Sequence, residues 1–355
     1  AYTALNRHEE ATAEYRKAVE LDPKMSAAQL NLGLELQEKD PASAVEPFRK
    51  ATDLMPDQAQ PRFLLGWALE RSGQAALATE QYQQAEKIDP KNFDIHFALG
   101  RVLLASKRAS DAESEFKFAL TLKPDSRQSE LGLAESLIAQ KKFQPAADQL
   151  GAYLKSQPQD SASRVQYARV LADLSKFDEA LVELDQAEKI QPPSLSTWKL
   201  RAEIFLELRK YPEESATLQK AIAQAPRDAD LHDRLAHAWM EQHQYPSAAK
   251  EFGIVYQLNP RLTAALRNWI SAQFLAQNFP AVLGGLDLLE KQEAPSDGTM
   301  FVRAVSYDKL GKFPEALEAY QKFLTIHPGT NDDQYFEASA RARILTKLLK
   351  EKGKK

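Results

Sequence analysis

The amino-acid sequence predicts an all-α protein, a right-handed α-solenoid of about nine complete 34-residue helix–turn–helix repeats. Three observations support this prediction. Prolines recur at a nearly constant period, small and large apolar residues recur in phase with them, and the composition favours helix. Ala, Leu, Gln, Glu and Lys dominate the chain, and straight-chain residues lose little rotamer freedom in a helix. In a protein of this kind each unit packs only on its neighbours.

Ten prolines define the period. Neighbouring members of the set stand 33 to 35 residues apart, and each closes a stretch with helical spacing of apolar residues. Proline lacks an amide hydrogen and disfavours helix in the residue before it, so it ends helices. The ten are Pro23, Pro56, Pro90, Pro124, Pro158, Pro192, Pro226, Pro260, Pro295 and Pro328. A helix stop at this period predicts a repeat protein.

Three further places recur in phase with the prolines, counted from the start of each unit's first helix. The eighth place is small: Gly33, Gly66, Gly100, Ala134, Ala168, Ala202, Ala236 and Ala304. The twentieth place is alanine: Ala11, Ala44, Ala78, Ala112, Ala146, Ala180, Ala248 and Ala316. The twenty-fourth place is large and apolar: Tyr15, Phe48, Tyr82, Phe116, Leu150, Leu184, Leu218, Phe252 and Tyr320.

This pattern resembles the tetratricopeptide-repeat family, whose unit is a 34-residue pair of antiparallel helices. In that family the eighth place is small because the two helices of a unit cross there at close range. The segment 93–124 shows the whole pattern. The resemblance implies a non-enzymatic scaffold that binds a protein or peptide. It also resembles bacterial members of the cell envelope or of multi-component assemblies, which slightly favours the envelope or periplasm over the cytoplasm.

The composition excludes several other classes of protein. The chain has no cysteine, so it forms no disulfide and offers no thiolate ligand or nucleophile. Its 46 basic and 50 acidic residues interleave, which predicts no nucleic-acid partner. No run of 18 apolar residues occurs, so we expect no membrane span. No phosphate loop, nucleophile elbow or zinc-binding histidine spacing is present, and we expect no catalytic residue, cofactor or metal.

The sequence contains one constellation of possible metal ligands. Asp233, His237 and Glu241 are spaced four residues apart and therefore share one helix face. A metal or cationic-ligand site on the inner face is one interpretation. A solvated surface is the favoured one, because no second histidine converges on these residues and no set of three or four ligands is evident.

Two units depart from the pattern. In the unit that ends at Pro226, Glu214 replaces the twentieth-place alanine, and we expect that helix contact to be looser or shifted by one residue onto Ser215. The unit 261–295 is one residue longer, and its second helix contains Gly284 and Gly285, each costing about 1 kcal/mol of helix stability. We expect it to be the softest joint of the array. Its best register turns three residues inward: Ile270, Ser271 and Phe274.

The whole chain is predicted to form one array. Its parts are a partial repeat over 1–23, nine complete repeats over 24–328, a capping helix over 329–351 and a tail over 352–355. Tyr2 falls at the eleventh place of a unit, so we expect the chain to begin inside a first helix, with preceding chain removed or the unit half-built. Asn331 or Asp332 is the expected N-cap of the capping helix.

The capping helix is predicted to be amphipathic, with a polar outer face for solubility. Its expected apolar stripe is Phe336, Ala340, Ile344, Leu345 and Leu348. Its expected charged side is Arg341, Arg343, Lys347 and Lys350.

The family's inner groove is lined by the second, fifth, ninth, twelfth and thirteenth places of each first helix. Before Pro124 these places are mostly large and apolar, and an apolar patch with aromatic anchors marks an interaction site. We predict that an extended or helical segment of a protein partner binds there. The predicted groove residues are Leu30, Leu34, Phe63, Trp67, Phe97, Arg101 and Leu131. The alternative is that these side chains fold onto neighbouring helices, or are covered by preceding chain, and bind nothing else.

The rest of the predicted groove is charged. It carries Arg169, Asp173, Lys199, Glu203, Glu207, Asp230, Asp233, His237 and Glu241. The ninth place alternates in sign through Arg101, Glu135, Arg169, Glu203 and His237. We interpret the alternation as a ladder of ion pairs between neighbouring first helices, each contributing about 0–1 kcal/mol.

Two known binding modes of the family are not encoded. The clamp for a C-terminal carboxylate needs Lys and Arg where this chain has Gln60 and Leu64, although Asn31 matches one place. The asparagine ladder at the sixth place is also missing, since Ala98 and Gly132 stand in it. The alternative function is an accessory module of a larger enzyme or of a secretion or exopolysaccharide-export machine. Neither the partner nor the oligomeric state follows from the sequence.

Overall fold

The computed structural model describes residues 7–326 and 333–352, with the backbone alone at Lys352. Within these ranges all regular structure is α-helical, in twenty helices with no strand, which confirms the predicted all-α class. None of the described helices is both long enough and apolar enough to cross a membrane. Tyr2, Pro328 and the expected N-caps Asn331 and Asp332 lie outside the described residues.

The chain forms two compact units, Ala1–Gln191 and Pro192–Lys355. The helices of the first unit are α1 His8–Leu21, α2 Ser26–Leu36, α3 Pro41–Leu54, α4 Ala59–Arg71, α5 Ala75–Ile88, α6 Phe93–Ala105, α7 Ala109–Leu122, α8 Arg127–Ala139, α9 Phe143–Ser156, α10 Ser161–Asp173 and α11 Phe177–Ile190.

The second unit has nine helices in its described part. They are α12 Leu195–Glu207, α13 Tyr211–Gln224, α14 Ala229–Glu241, α15 Tyr245–Leu258, α16 Thr263–Leu275, α17 Phe279–Leu289, α18 Asp297–Lys309, α19 Phe313–Ile326 and α20 Asp333–Lys352. From α2 onwards the helices pack as consecutive pairs, five in the first unit and four in the second. A solenoid of helix–turn–helix repeats is the resulting architecture.

Many first helices start at a side-chain N-cap, because an oxygen there satisfies an amide that has no helical partner. The side chain accepts a hydrogen bond from a first-turn amide at Asn92, Ser126, Asp160, Ser194, Asp228 and Ser296. Each of these residues follows closely on one of the prolines that define the period. A proline stop and a capping start thus delimit these repeats.

The turn inside each repeat from α4 to α19 uses one left-handed residue at the fifteenth place. Glycine occupies it only at Gly73 and Gly311, with φ of 77° and 72°. In the other six repeats it is Lys107, Lys141, Ser175, Arg209, His243 or Gln277, with φ between 53° and 61°. A residue in this conformation ends a helix and reverses the chain.

The two helices of a repeat cross where the eighth place meets the twenty-fourth. A Cβ atom added to Gly33 would lie 2.5 Å from Cδ1 of Phe48, and one added to Gly66 would lie 2.8 Å from the same atom of Tyr82. Real Cβ atoms do not approach ring carbons so closely, so these crossings require glycine. The large partner rings are fully buried.

Residue size at these two places is matched along the chain. The three repeats with glycine at the eighth place have an aromatic residue at the twenty-fourth: Phe48, Tyr82 and Phe116. The next three have alanine at the eighth place and leucine at the twenty-fourth: Leu150, Leu184 and Leu218. A smaller residue on one helix therefore accommodates a larger one on the other. The alanine repeats of Phe252 and Tyr320 do not follow this rule.

The pair α16–α17 inverts the arrangement. Ile270, a large residue, occupies the eighth place and is buried, and the space for it comes from the second helix. A Cβ atom on Gly285 would lie 2.7 Å from both Ile270 Cγ1 and Trp269 Cζ3. Phe274 is partly buried, as predicted. Ser271 is exposed, and the next residue, Ala272, is buried instead of Ser271. The prediction that Ser271 points inward is therefore wrong.

The face of α20 also differs from its prediction. Phe336 and Ile344 are 58% and 52% exposed, and Ala340 is exposed as well. The buried residues are Ala338, Ala342 and Leu345, and the Arg341 guanidinium binds Asp308 with Nη2 at 2.8 Å from Oδ1. The ion pair and the small alanines set the rotation of α20, so the longer apolar side chains point outward.

We predict opposite effects for two neighbouring glycines of α17. Gly284→Ala should raise the stability by about 1 kcal/mol, because glycine is a poor helix former and the added Cβ meets no atom within 4 Å. Gly285→Ala should lower it by about 1–3 kcal/mol, because it overpacks Ile270 and Trp269. Urea unfolding followed by circular dichroism measures both. Changes of the same sign would contradict the inverted packing.

Candidate partner-binding site

The seven residues predicted to bind the partner lie on first helices of the first unit. Leu30 and Leu34 are on α2, Phe63 and Trp67 on α4, Phe97 on α6 and Leu131 on α8. These six side chains are half-buried and pack against one core cluster of the unit. Arg101, on α6, is exposed. The structure therefore brings the apolar members together while leaving part of each in contact with solvent.

The aromatic members rest on the large twenty-fourth-place residues. The ring centroids of Phe63 and Tyr82 are 5.7 Å apart, and those of Phe97 and Phe116 are 6.1 Å apart. Phe97 also stacks on Phe93 at 5.9 Å. One side of Phe63 and one side of Phe97 thus belong to the core, so replacing either residue affects stability as well as any binding.

A cleft of about 520 Å³ opens beside Phe63. Its apolar wall is Ala59, Phe63, Leu64, Ile88 and Ile95. Its polar rim is Gln58, Gln60, Asp89, Asn92 and Asp94. The Asn92 side chain is fixed, because it accepts from the Asp94 amide at 3.1 Å and donates to Asp89 at 3.0 Å. The cleft combines an apolar wall with an acidic rim.

Two cationic side chains flank the apolar members. The Arg71 guanidinium lies 5.3 Å from the Trp67 ring centroid, which is cation–π distance. Arg101 Nη2 donates to Glu70 Oε2 at 2.9 Å, and the buried Tyr82 hydroxyl donates to the same oxygen at 3.0 Å. The predicted ladder of ion pairs between ninth-place residues is wrong for Arg101, because its partner is Glu70, at the twelfth place of the preceding repeat. The Glu70 carboxylate on α4 is nearer to the Arg101 guanidinium than the Glu135 carboxylate on α8, which stands at the same place of its repeat.

The fourth place of five repeats makes a contact that the sequence reasoning missed. Its side chain hydrogen-bonds the carbonyl oxygen of the proline six residues earlier, an arrangement we call the proline clip. The clips are Gln29–Pro23, Arg62–Pro56, His96–Pro90, Arg164–Pro158 and His232–Pro226, at 3.0 to 3.5 Å. A polar residue six positions after each of these five prolines is the signal that would have revealed them.

Three clips also engage a glutamate at the twenty-third place. His96 Nδ1 lies 2.7 Å from Glu115 Oε2, and His232 Nδ1 lies 2.6 Å from Glu251 Oε2. Arg164 Nη1 donates to Glu183 Oε2 at 2.5 Å. In these repeats one side chain ties the loop before the repeat to both of its helices.

The constellation of Asp233, His237 and Glu241 is not assembled as a ligand set. His237 Nδ1 is 2.9 Å from the backbone oxygen of Asp233 and 3.4 Å from its carboxylate. That carboxylate raises the pKa of the His237 imidazole. The geometry agrees with the favoured interpretation, in which these side chains form a local surface network.

Glu214, at the twentieth place of α12–α13, is only 2% exposed, and Ser215 beside it is buried to the same extent, so the looser or shifted helix contact stays a prediction. Arg234 Nη2 is 3.8 Å from Glu214 Oε1. Glu214 Oε2 has no hydrogen-bond partner among the described residues. Burial raises the pKa of the Glu214 carboxyl from its usual 4.5 to about 7, against the opposing charges of Arg234 and His237. The repeat therefore holds an acid where its neighbours hold a methyl group.

Models of the tetratricopeptide repeat match several parts of the chain. One described as "TPR repeat" matches residues 1–40 and 71–106, and two described as "Tetratricopeptide repeat" match 103–164 and 299–330. No curated protein matches the sequence.

Solved structures of repeat proteins are similar to the chain. PilF of Pseudomonas aeruginosa is 19% identical with a TM-score of 0.46, over 62% of this chain and 94% of that one. A tetratricopeptide-repeat protein of Parabacteroides merdae is 12% identical with a TM-score of 0.48, over 80% and 98%. A thermophilic TPR protein of Thermus thermophilus is 24% identical with a TM-score of 0.38, over 51% and 99%.

The helix pairs, the places at which they cross and the matched family models define the class of the protein. The chain contains multiple tetratricopeptide repeats. This fold is a scaffold for protein interactions, and proteins of the family are typically non-enzymatic.

We predict that Glu214 makes stability depend on pH. The folded chain keeps a proton on Glu214 that the unfolded chain releases between pH 4.5 and 7, so rising pH disfavours folding in that window. A shift of this size corresponds to about 3 kcal/mol, complete above pH 7. Glu214→Gln should therefore gain stability over the wild type as the pH rises from 4 to 8, measured by urea unfolding. The exposed Glu213→Gln is the control, and a pH-independent difference for Glu214→Gln would contradict the prediction.

Proposed function

We propose that the protein is a scaffold whose first unit binds a segment of a protein partner. The binding surface consists of Leu30, Leu34, Phe63, Trp67, Phe97, Leu131 and, at its polar edge, Arg101. The supporting observation is that four successive first helices carry large apolar side chains that are only half-buried. Solubility favours polar residues at such positions, and contiguous apolar surface is characteristic of interaction sites.

The chemistry of the partner follows from the cleft beside Phe63. An apolar side chain fits its wall, and a basic neighbour complements the carboxylates of Asp89 and Asp94 on its rim. Phe63 and Trp67 are the expected anchors, because buried aromatic residues dominate binding energies. The preferred ligand is therefore a short segment with an apolar residue next to Lys or Arg.

The contacts of the surface aromatic rings with the core make the proposed binding surface rigid. Phe63 and Phe97 are held from below by Tyr82 and Phe116, so little side-chain freedom is lost when their outer sides are covered. Such preorganisation reduces the entropic cost of binding.

We predict that the surface selects peptides of this kind from a random display library. Phe63→Ala/Trp67→Ala should weaken the binding of a selected peptide at least tenfold, because anchors of this type contribute 2 kcal/mol or more. Trp67→Ala alone should also weaken it. The matched control is Leu77→Ala/Val182→Ala, which removes side chains 42% and 55% exposed on second helices. Fluorescence anisotropy of the labelled peptide gives the dissociation constants.

Thermal unfolding of each variant separates binding from folding. Weaker binding of Trp67→Ala with an unchanged melting curve supports the proposal. Peptides that bind all variants equally would contradict it. So would a library that yields no binder to the wild type, or loss of binding only in variants that no longer melt cooperatively.

A further inference from the structure

Three potential metal ligands converge where two repeats of the first unit meet. Glu86 lies in the last turn of α5, His96 in the first turn of α6 and Glu115 on α7. One ligand atom from each, an imidazole nitrogen and two carboxylate oxygens, lies within 4.8 Å of both others. In the described part of the chain no other group of three such residues is placed this way.

The hydrogen bonds of His96 direct Nδ1 towards the two carboxylates. Its Nε2 is 3.0 Å from the Pro90 carbonyl oxygen, and because a carbonyl only accepts, Nε2 carries a hydrogen. Metal-binding histidines use such a hydrogen bond to fix their orientation, and an ion bound to Nδ1 would replace the proton that Nδ1 shares with Glu115 Oε2 at 2.7 Å. The ring is held further by burial to 4% exposure and by Phe118, whose centroid is 4.4 Å away.

Glu86 has no function in the proline clip. It has no hydrogen-bond or ion-pair partner among the residues that the structure describes, yet one of its carboxylate oxygens lies within 4.8 Å of a ligand atom of His96 and of Glu115. Two neighbouring carboxylates repel each other, and a cation bound between them offsets that repulsion.

We propose that Glu86, His96 and Glu115 bind one divalent transition-metal ion, such as Zn²⁺, between consecutive repeats. Imidazole together with carboxylates suits Zn²⁺ and its neighbours rather than Mg²⁺ or Ca²⁺, which take oxygen ligands. Three protein ligands leave a coordination position for water. The ion would tie α5 to α6 and α7 and stabilise this part of the first unit. The absence of zinc spacing in the sequence does not bear on this site, because its ligands come from three helices.

The second unit contains a natural comparison. His232 repeats the clip, with Nε2 at 3.1 Å from the Pro226 oxygen and Nδ1 at 2.6 Å from Glu251. The place of Glu86 is taken there by Ile222. The histidine–glutamate pair is therefore a structural contact in both units, and only the first adds a third ligand.

Isothermal titration calorimetry with ZnCl₂ tests the proposal. It uses the full chain without a polyhistidine tag, freed of metal with EDTA. The wild type should bind one Zn²⁺, and Glu86→Gln should lower the affinity at least tenfold, as expected for a lost ligand. Glu86→Gln leaves the clip intact, so it should still fold. Glu251→Gln, the same change at the two-ligand pair, should leave the affinity unchanged.

Thermal melting supplies a second measurement. Saturating ZnCl₂ should raise the melting temperature of the wild type and of Glu251→Gln, but not that of Glu86→Gln, because an ion that binds only the folded state stabilises it. The proposal is overturned if the wild type shows no saturable binding below 100 µM (about 5.5 kcal/mol of affinity). It is also overturned if Glu86→Gln and Glu251→Gln affect binding equally.

Discussion

The repeats of this protein depend on the close crossing of two helices at the eighth and twenty-fourth places. Glycine or alanine on the first helix admits a large buried side chain from the second, as Gly66 admits Tyr82. The requirement is for matched volume rather than for one residue type. The pair α16–α17 shows this most clearly, because Ile270 takes the place of the small residue and Gly285 on the other helix makes room for it. Interiors packed at this density transmit any change of volume to their neighbours.

The candidate surfaces are built on that crossing. Tyr82 supports Phe63 from within and also holds Glu70, which in turn binds Arg101. The loops between repeats are held separately, by polar side chains that bind the proline carbonyls. The helix crossing at Tyr82 therefore fixes both the helix spacing in the repeat and the position of the proposed partner-binding side chain Phe63. At His96 the loop contact also orients a nitrogen towards two carboxylates, where the proposed metal site lies.

Periodicity predicted the fold because every unit packs its two helices in the same way. The prolines, alanines and aromatic residues that this packing requires therefore recur at fixed places in the sequence. It placed the groove residues on first helices for the same reason. Features that depend on contacts between different helices were not visible. The rotation of α20 follows from Arg341 and Asp308, so its exposed Phe336 was misassigned. Glu214 was expected to loosen or shift a helix contact, but the sequence did not show that its carboxylate is buried with one oxygen unpaired among the described residues. The three ligands around His96 come together only in the folded chain.

A double-mutant cycle at Gly33 and Phe48 tests the crossing most directly. Gly33→Ala alone should destabilise by about 1–3 kcal/mol, because the new methyl group overlaps the Phe48 ring. In a Phe48→Leu background the same change should cost little or be favourable, as it is in an unconstrained helix. Urea unfolding of the four proteins gives the coupling free energy, which we expect to be at least about 1 kcal/mol. Additive effects, or a Gly33→Ala variant more stable than the wild type, would contradict volume matching as the basis of the repeat.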